Sequence, residues 1–302
     1  MDKNIIDNNV SENGELVMNI YIISYADDRF SKQQKKLSKS IRRISRNYNN
    51  IEYGPNDIDK EFYTQNQLIL NNSKGGGYWL WKPYIIKKQI EKLNEGDYLF
   101  YCDSGAILVN RIEHLINNLK NSGQDIMGFQ LPLIEKQWTK KELFIKMNCC
   151  ENYFYDSNQI LASFILIRKS EFSLKFIDDY LKYSLIYENI TDFHDQSITW
   201  ENYFINHRHD QSIFSLLYKK YELSPFKDPS QFGNFPDGYS GFRMVKFKYN
   251  ELYKLSNGRL FRVETNDNSN YPTILYHLRN ENYYMLKAKI LIKKIIKRIV
   301  IG

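Results

Sequence analysis

The chain has 302 residues, of which 42% are apolar, enough for one large α/β domain or two small ones with a substantial core. Three cysteines exclude a disulfide framework, and neither the polar residues 1–17 nor any apolar run reads as a secretory leader or a membrane span. The net charge is +7, but six positive charges and no acid lie within residues 285–302, so the body carries only +1 and a broad nucleic-acid face is not expected.

These features predict a protein of the reducing cytosol. The 24 Tyr and 18 Phe read first as the codon usage of an AT-rich genome. They also suit pocket walls, because a tyrosine joins an apolar body to a polar tip.

Residues 1–17 read as a disordered leader. MNIYIIS at 18–24 is a short apolar, β-rich run and predicts a first strand. In 27–48, Leu37, Ile41 and Ile44 have helical spacing. Residues 51–53 predict a second strand and 62–70 a helix. Gly75-Gly76-Gly77 then breaks the chain, and 81–93 predicts a helix with Pro83 in its first turn. DYLFYC at 97–102 is a buried strand that ends at Asp103-Ser104-Gly105. A helix at 112–120, strands at 126–130 and 160–168, and helices at 170–187 and 210–221 follow. Segment 225–284 shows few clean periods. Strands alternating with helices predict an α/β fold with a mainly parallel central sheet and flanking helices, in one domain over 18–284.

The end of the chain has its own pattern. Ala288, Leu291, Ile292, Ile295, Ile296 and Ile299 share one helical face, and lysines and Arg298 lie on the other side. A basic amphipathic helix over 285–302 predicts attachment to an anionic membrane surface. A last helix docked on the domain is the plainer alternative.

Four constellations carry possible chemistry. YLFYCDSG delivers Asp103 at a strand's carboxyl end, where open α/β sheets place ligands. GGGYWLWKP joins three glycines to Tyr78, Trp79 and Trp81, with Lys82 placed to meet a phosphate or carboxylate. His-Asp-Gln-Ser occurs twice, at 194–197 and 209–212. Only the second copy opens a helix, where Asp210 gains from the N-terminal field. YHLRN brings His277, of a type that joins metal sites, and Arg279, of a type that clamps phosphate. Taken singly, Asp103 can cap a turn, the aromatics can plug the core, and His277 can be structural.

The blocks SYAD, GGGYWLWKPYII, DYLFYCDSG, HRHDQS and YHLRN, in this order over 18–280, resemble a family of bacterial GT-A-type glycosyltransferases of surface-polysaccharide and lipopolysaccharide synthesis. The resemblance implies a GT-A-like sheet and transfer of a sugar from a nucleotide-sugar donor, most simply a UDP-sugar, to a glycan or lipid-linked acceptor at the inner membrane face. Asp103 matches the first carboxylate of the usual Asp-x-Asp metal motif, and Gly105 stands where the second would be. The resemblance thus implies a divalent cation, Mn2+ or Mg2+, with His277 as the replacement ligand. Ser24 and Tyr25 match nucleoside-facing positions. Tyr78, Trp81, Lys82, Ser104 and Arg279 are assigned to the donor, and Trp79 and His209 to the acceptor. Asp210 and Gln211 match a pair facing the acceptor or the anomeric carbon and are the catalytic assignment, which leaves His194-Asp195-Gln196 as coincidence in a variable loop. The alternative is an inactive carbohydrate- or nucleotide-binding scaffold of the same fold.

Overall fold

The computed structural model describes residues 18–234, 252–254, 259–262, 269–278 and 283–301. The leader expected at 1–17 and the donor assignment of Arg279 lie outside the described residues.

The strands are β1 (Ile20–Tyr25), β2 (Asn49–Tyr53), β3 (Tyr98–Cys102), β4 (Ala106–Leu108), β5 (Ile126–Ile134), β6 (Asn158–Arg168), β7 (Phe226–Lys227), β8 (Leu252–Lys254), β9 (Leu260–Arg262) and β10 (Leu275–His277). The longer helices are α1 (Ser31–Ile44), α2 (Trp81–Ile90), α3 (Glu113–Ser122), α4 (Glu171–Ser184), α5 (His209–Lys220) and α6 (Tyr283–Ile301).

The central sheet has six strands in the order β2-β1-β3-β6-β5-β7. β1 is parallel to both β2 and β3, and β5 is parallel to β7. β6 is antiparallel to β3 and to β5, so it alone runs against the other five. The sheet is therefore mostly parallel, in one mixed α/β domain. Such a sheet is covered on both faces, and its inner strands read as continuous apolar runs. Every residue of β3 is buried, and so is nearly all of β6.

The two faces support separate cores. On one, Ile23, Leu99, Tyr101 and Ile165 pack against α2, α4 and α5. On the other, Ile22, Phe100, Cys102 and Phe164 pack against α1 and α3. Neighbouring residues of β1 and β3 go to opposite faces, as the pleat requires. α1 is largely charged, yet Leu37 and Ile41, four residues apart, are both 1% exposed. Fully burying each such side chain contributes about 1.5–3 kcal/mol, so the apolar stripe holds this helix in place. α4 starts on a reciprocal cap, in which Ser173 N–H donates to Ser170 Oγ at 3.1 Å.

Several expectations are refined. The helix expected over 62–70 is two short ones, Lys60–Gln65 and Gln67–Leu70. Between them, Asn66 turns its side-chain amide onto Phe62 O at 2.9 Å, a local bond that competes with helix continuation. β4 and β10 pair antiparallel outside the central sheet, and strands of three residues are too short to show a period. The β5–β6 register shifts: Met127 pairs with Leu166 but Phe129 with Leu161, which leaves 162–165 without a β5 partner opposite Gly128 while Phe164 and Ile165 stay paired with β3.

α6 docks by a face the heptad-like pattern did not single out. Leu286 and Ile290 are buried against Ile107 and Leu278. Leu291, Ile292 and Ile295, on the expected apolar face, are 50–59% exposed. The side chains of Ile296 and Ile299 lie outside the described residues. Among the described residues, no helix is long and apolar enough to cross a membrane.

Candidate active site

β1 and β3 lie side by side and point the same way, so their carboxyl ends open onto a common crevice. The cleft there encloses about 550 Å³, within the ~300–1,000 Å³ usual for small-molecule sites. Asp103, Ser104 and Gly105 from the end of β3 form part of its lining, and His277 from the end of β10 joins them. Tyr25, Trp79 and Trp81 supply aromatic wall.

The sequence builds this wall through backbone strain. Gly75, Gly76, Gly77, Tyr78 and Trp79 all have positive φ, so five consecutive residues wind a left-handed turn. Each non-glycine residue in that hand costs about 1–2 kcal/mol, which explains the three glycines and leaves two strained aromatics. A Cβ on Gly77 would sit 2.7 Å from Leu70 Cα, and one on Gly75 would sit 2.4 Å from the Trp79 ring. The turn places Trp79 and Trp81 on the cleft, with the Trp81 ring stacked on Tyr25 at 3.9 Å and its indole N–H on Gly75 O at 3.0 Å. Strain of this kind persists where the surroundings over-determine it, often at functional sites.

Behind Asp103 lies a buried charge network. Lys82 Nζ is 2.7 Å from Asp210 Oδ2 and 3.8 Å from Asp103 Oδ1. Tyr101 donates to Asp103 Oδ1 at 2.6 Å, and Tyr180 donates to Asp210 Oδ2 at 3.3 Å. The side chains of Lys82 and Asp210 are 4% and 5% exposed, and that of Asp103 is 32% exposed. Burial pulls the Lys82 pKa down, but Asp210 and Asp103 more than offset this and raise it above the ordinary lysine value. Burial also raises Asp210, and Lys82 reverses only part of the effect. Two carboxylates share one ammonium, so the cluster carries a formal excess of negative charge, with Lys82 and Asp210 almost shut off from water and Asp103 partly open to it.

Lys82, Asp103 and Asp210 thus meet, and His277 shares the cleft with Asp103. Of the sequence-assigned donor residues, Tyr25, Trp81, Asp103 and Ser104 line the cleft. Ser24 does not: it is fully buried and takes the side-chain amide of Gln34 on its Oγ at 3.2 Å. Tyr78 turns away to hydrogen-bond Asp192 at 3.3 Å. The catalytic assignment needs the largest revision. Asp210 does not line the cleft and lies behind Lys82. Gln211 Nε2 donates to Gln159 Oε1 at 2.7 Å, and its Oε1 accepts from Ala162 N–H at 3.3 Å, which ties α5 to the bulge of β6. His209 is also withdrawn. It stands behind Trp79 with the rings 5.4 Å apart, and its Nδ1 is 2.8 Å from Ile190 O. Trp79, the other acceptor assignment, does line the cleft. The reason is common to all three: the opening of α5 is packed under β6 and the 189–192 segment, and this becomes visible only when those parts are folded together.

Sequence reasoning missed Tyr101, Tyr180 and the rim pair Asp27 and Arg29. Arg29 forks onto Asp27 Oδ2 at 2.8 and 2.6 Å. Two signals were available. Asp27 and Arg29 directly follow the first strand, and Tyr101 is two residues before Asp103, on the same side of a strand. Nothing local marks Tyr180.

The donor set was tested against a divalent cation. Among the described residues no three His, Cys, Asp or Glu side chains gather as metal ligands. Asp103 and His277 share the cleft, Gly105 offers no side chain, and Asp103 already faces Lys82 and Tyr101. This set does not fit a cation held by the protein alone.

No family model matches the chain, and no curated protein matches it in sequence. Several glycosyltransferases are among the solved structures that superpose on it. The galactosyltransferase LgtC with donor and acceptor sugar analogues matches at 14% identity and a TM-score of 0.44, over 85% of this chain and 86% of that one. Mouse xyloside xylosyltransferase 1 in its apo form matches at 9% and 0.45, over 86% and 97%. The apo bifunctional enzyme WbbM matches at 12% and 0.41, over 67% of this chain, which spans only 37% of WbbM. At these values no residue role or activity transfers, and function rests on the cleft itself.

A pH effect on stability follows from the withdrawn histidines. Burial pushes His209 down to about 4 and His207 well below its ordinary value. A histidine that is neutral in the fold and has an unfolded pKa near 6.5 contributes fully above ~6.5, and its contribution falls as the pH drops toward 4. Equilibrium denaturation should show stability declining by about 3 kcal/mol for His209 over that window. In His209→Asn, which tolerates the left-handed backbone at this position, the slope should flatten.

Proposed function

We propose that the protein is a glycosyltransferase of GT-A type, which moves a sugar from a nucleotide-sugar donor to a hydroxyl of a glycan or lipid-linked acceptor. One observation carries this reading. An aromatic-walled cleft sits at the carboxyl ends of adjacent parallel strands, and one of its carboxylates, Asp103, is backed by the buried Lys82–Asp210 pair. The ordered sequence blocks add support, because four of the five, SYAD, GGGYWLWKPYII, DYLFYCDSG and YHLRN, contribute residues to the cleft lining.

In this reading Tyr25 and Trp81 stack with the flat nucleoside, and the open backbone at Gly76 lets the donor approach closely. The bond from the anomeric carbon to the diphosphate breaks, and its electron pair leaves with the diphosphate. The sugar ring becomes oxocarbenium-like, and the residual negative charge of the Asp103–Lys82–Asp210 cluster stabilises that positive centre. The acceptor oxygen forms the new bond, and Asp103, the cluster's cleft-facing carboxylate, takes its proton. Asp210 acts through Lys82 and is a positioning residue. We keep a divalent cation in the proposal only as one that arrives with the donor's diphosphate, with His277 as the protein's contact to it, and no step above is routed through it. The second reading, a nucleotide-binding scaffold, is favoured by the single observation that Gly105 leaves the ligand set incomplete.

Turnover of nucleotide sugars decides between the readings. Asp103→Asn should lower kcat by on the order of 10²–10⁴ in a protein that still folds, because Asp210 remains paired with Lys82 at 2.7 Å. Asp210→Asn keeps the hydrogen bonds to Lys82 and Tyr180 and should cost less. Equal turnover by wild type and Asp103→Asn would remove the cleft from the reaction, and nucleotide binding with no turnover at all would favour the scaffold.

For the cation, UDP should raise the melting temperature further when Mn2+ is present, and this increment should vanish in His277→Ala. An increment of the same size in both proteins would separate His277 from metal binding.

The exposed Leu291, Ile292 and Ile295 face of α6, with its lysines, is proposed to lie on an anionic membrane surface. In Leu291→Glu/Ile295→Glu, sedimentation with phosphatidylserine vesicles should be lost and turnover of a soluble acceptor retained. Undiminished sedimentation would place attachment elsewhere.

A further inference from the structure

A second hollow lies away from the cleft and shares no lining residue with it. Its walls are aromatic: Phe144, Tyr155, Trp200, Tyr203 and Phe204. The Phe144 and Tyr155 rings are 4.4 Å apart, and those of Trp200 and Phe204 are 4.6 Å apart. The space measures about 190 Å³, roughly the volume of six waters at ~30 Å³ each. That is room for one six-membered ring and not for a nucleotide sugar.

The hollow is held in shape by a buried carboxylate. Glu142 is 5% exposed, and both of its oxygens are engaged. Oε2 accepts the Trp200 indole N–H at 2.8 Å, and Oε1 meets His194 Nδ1 at 2.8 Å and the Asp195 N–H at 3.1 Å. Burial pushes Glu142 up, and hydrogen bonds from its own backbone N–H, His194 and Trp200 more than reverse this. A buried carboxylate is costly unless fully partnered, and here its partners fix the position of Trp200. Ordinary loop packing does not account for the rest. Tyr203 remains 36% exposed, and a cavity is left between the rings. The first His-Asp-Gln-Ser copy therefore has a role of its own, as His194 and Asp195 anchor the loop that carries Trp200.

The rim names the chemistry of the occupant. Lys136 is paired with Asp156 at 2.5 Å, and Lys141 with Glu201 at 3.5 Å. The rim thus offers charged donors and acceptors but no net charge. A purely apolar ring would desolvate these heads without partners, and a charged ligand would meet a balanced rim. A neutral pyranose fits both parts. Its hydroxyls lie at the ring edge, facing the paired charges, and its C–H faces carry the partial positive charge that aromatic faces attract.

We propose that this hollow binds a neutral hexopyranose unit, a second sugar-binding place outside the reaction cleft. The choice of a sugar rests in part on the glycosyl-transfer reading, in which such a place would hold a further residue of the acceptor glycan.

The test is saturation-transfer NMR on the full chain with methyl glucopyranoside and methyl galactopyranoside. Transfer to the ring C–H protons of at least one glycoside is expected, undisturbed by added UDP. Trp200→Ala should abolish it. Glu142→Ala, which leaves every wall residue in place, should weaken it several-fold, because the Trp200 ring is then no longer held in advance. Lys141→Ala/Glu201→Ala, at exposed rim positions that do not threaten the fold, should weaken it as well. Absence of transfer from both glycosides, transfer unchanged in Trp200→Ala or in the rim variant, or displacement by UDP would each overturn the assignment. Nucleotide-sugar turnover is read on the same samples. Lost glycoside binding with intact turnover sinks only the hollow, and intact binding without turnover sinks only the reaction assigned to the cleft.

Discussion

The burial of Lys82 between Asp103 and Asp210 is the constraint around which the candidate site is arranged. An ammonium with almost no access to water must have anionic partners, and removing one partner from such a pair typically costs about 3–5 kcal/mol. The three residues arise from three places: the helix after the glycine turn, the end of β3, and the start of α5. Their meeting ties these elements to one another. It also sets the electrical character of the cleft, because one ammonium does not neutralise two carboxylates. Charge that is unbalanced and poorly screened is strong at short range, which suits a reaction centre more than a stabilising core.

The second constraint is mechanical. The left-handed turn at 75–79 fixes where Trp79 and Trp81 stand, and it does so at a conformational cost that glycine reduces but does not remove. Tyr78 and Trp79 are held in that hand from outside, Tyr78 by Asp192 and Trp79 by the ring of His209. Asp192 in turn takes Lys74 at 2.8 Å. The histidines of HRHDQS therefore support the aromatic wall from behind and remain neutral there. Their burial links the acid stability of the fold to the geometry of the cleft.

The two His-Asp-Gln-Ser copies show how identical words acquire different meanings. In the second, Asp210 neutralises a buried lysine and Gln211 pins a strand bulge. In the first, His194 and Asp195 close on Glu142 and set the Trp200 loop. Neither copy presents its side chains to the cleft. Both serve by holding in place the aromatic residues that do face open space.

By itself the sequence determined what depends on near neighbours. Buried strands follow from unbroken apolar runs such as YLFYC and ILASFILI, and the mostly parallel sheet follows from their alternation with amphipathic helices. The break in the chain before α2 follows from three successive glycines. Asp103 was legible for the same reason, since a carboxylate that ends a buried strand has few places to go. Only the tertiary structure decided which charges meet. Lys82 and Asp210 are distant along the chain, and their pairing depends on how α2 and α5 come together over one face of the sheet. It also turned Asp210, Gln211 and His209 inward, put Leu286 and Ile290 of α6 against the body in place of the stripe the pattern singled out, and gave the first repeat its carboxylate. Periodicity records which residues share a side of one element. Which side meets which partner is a property of the packed assembly, and no local window contains it.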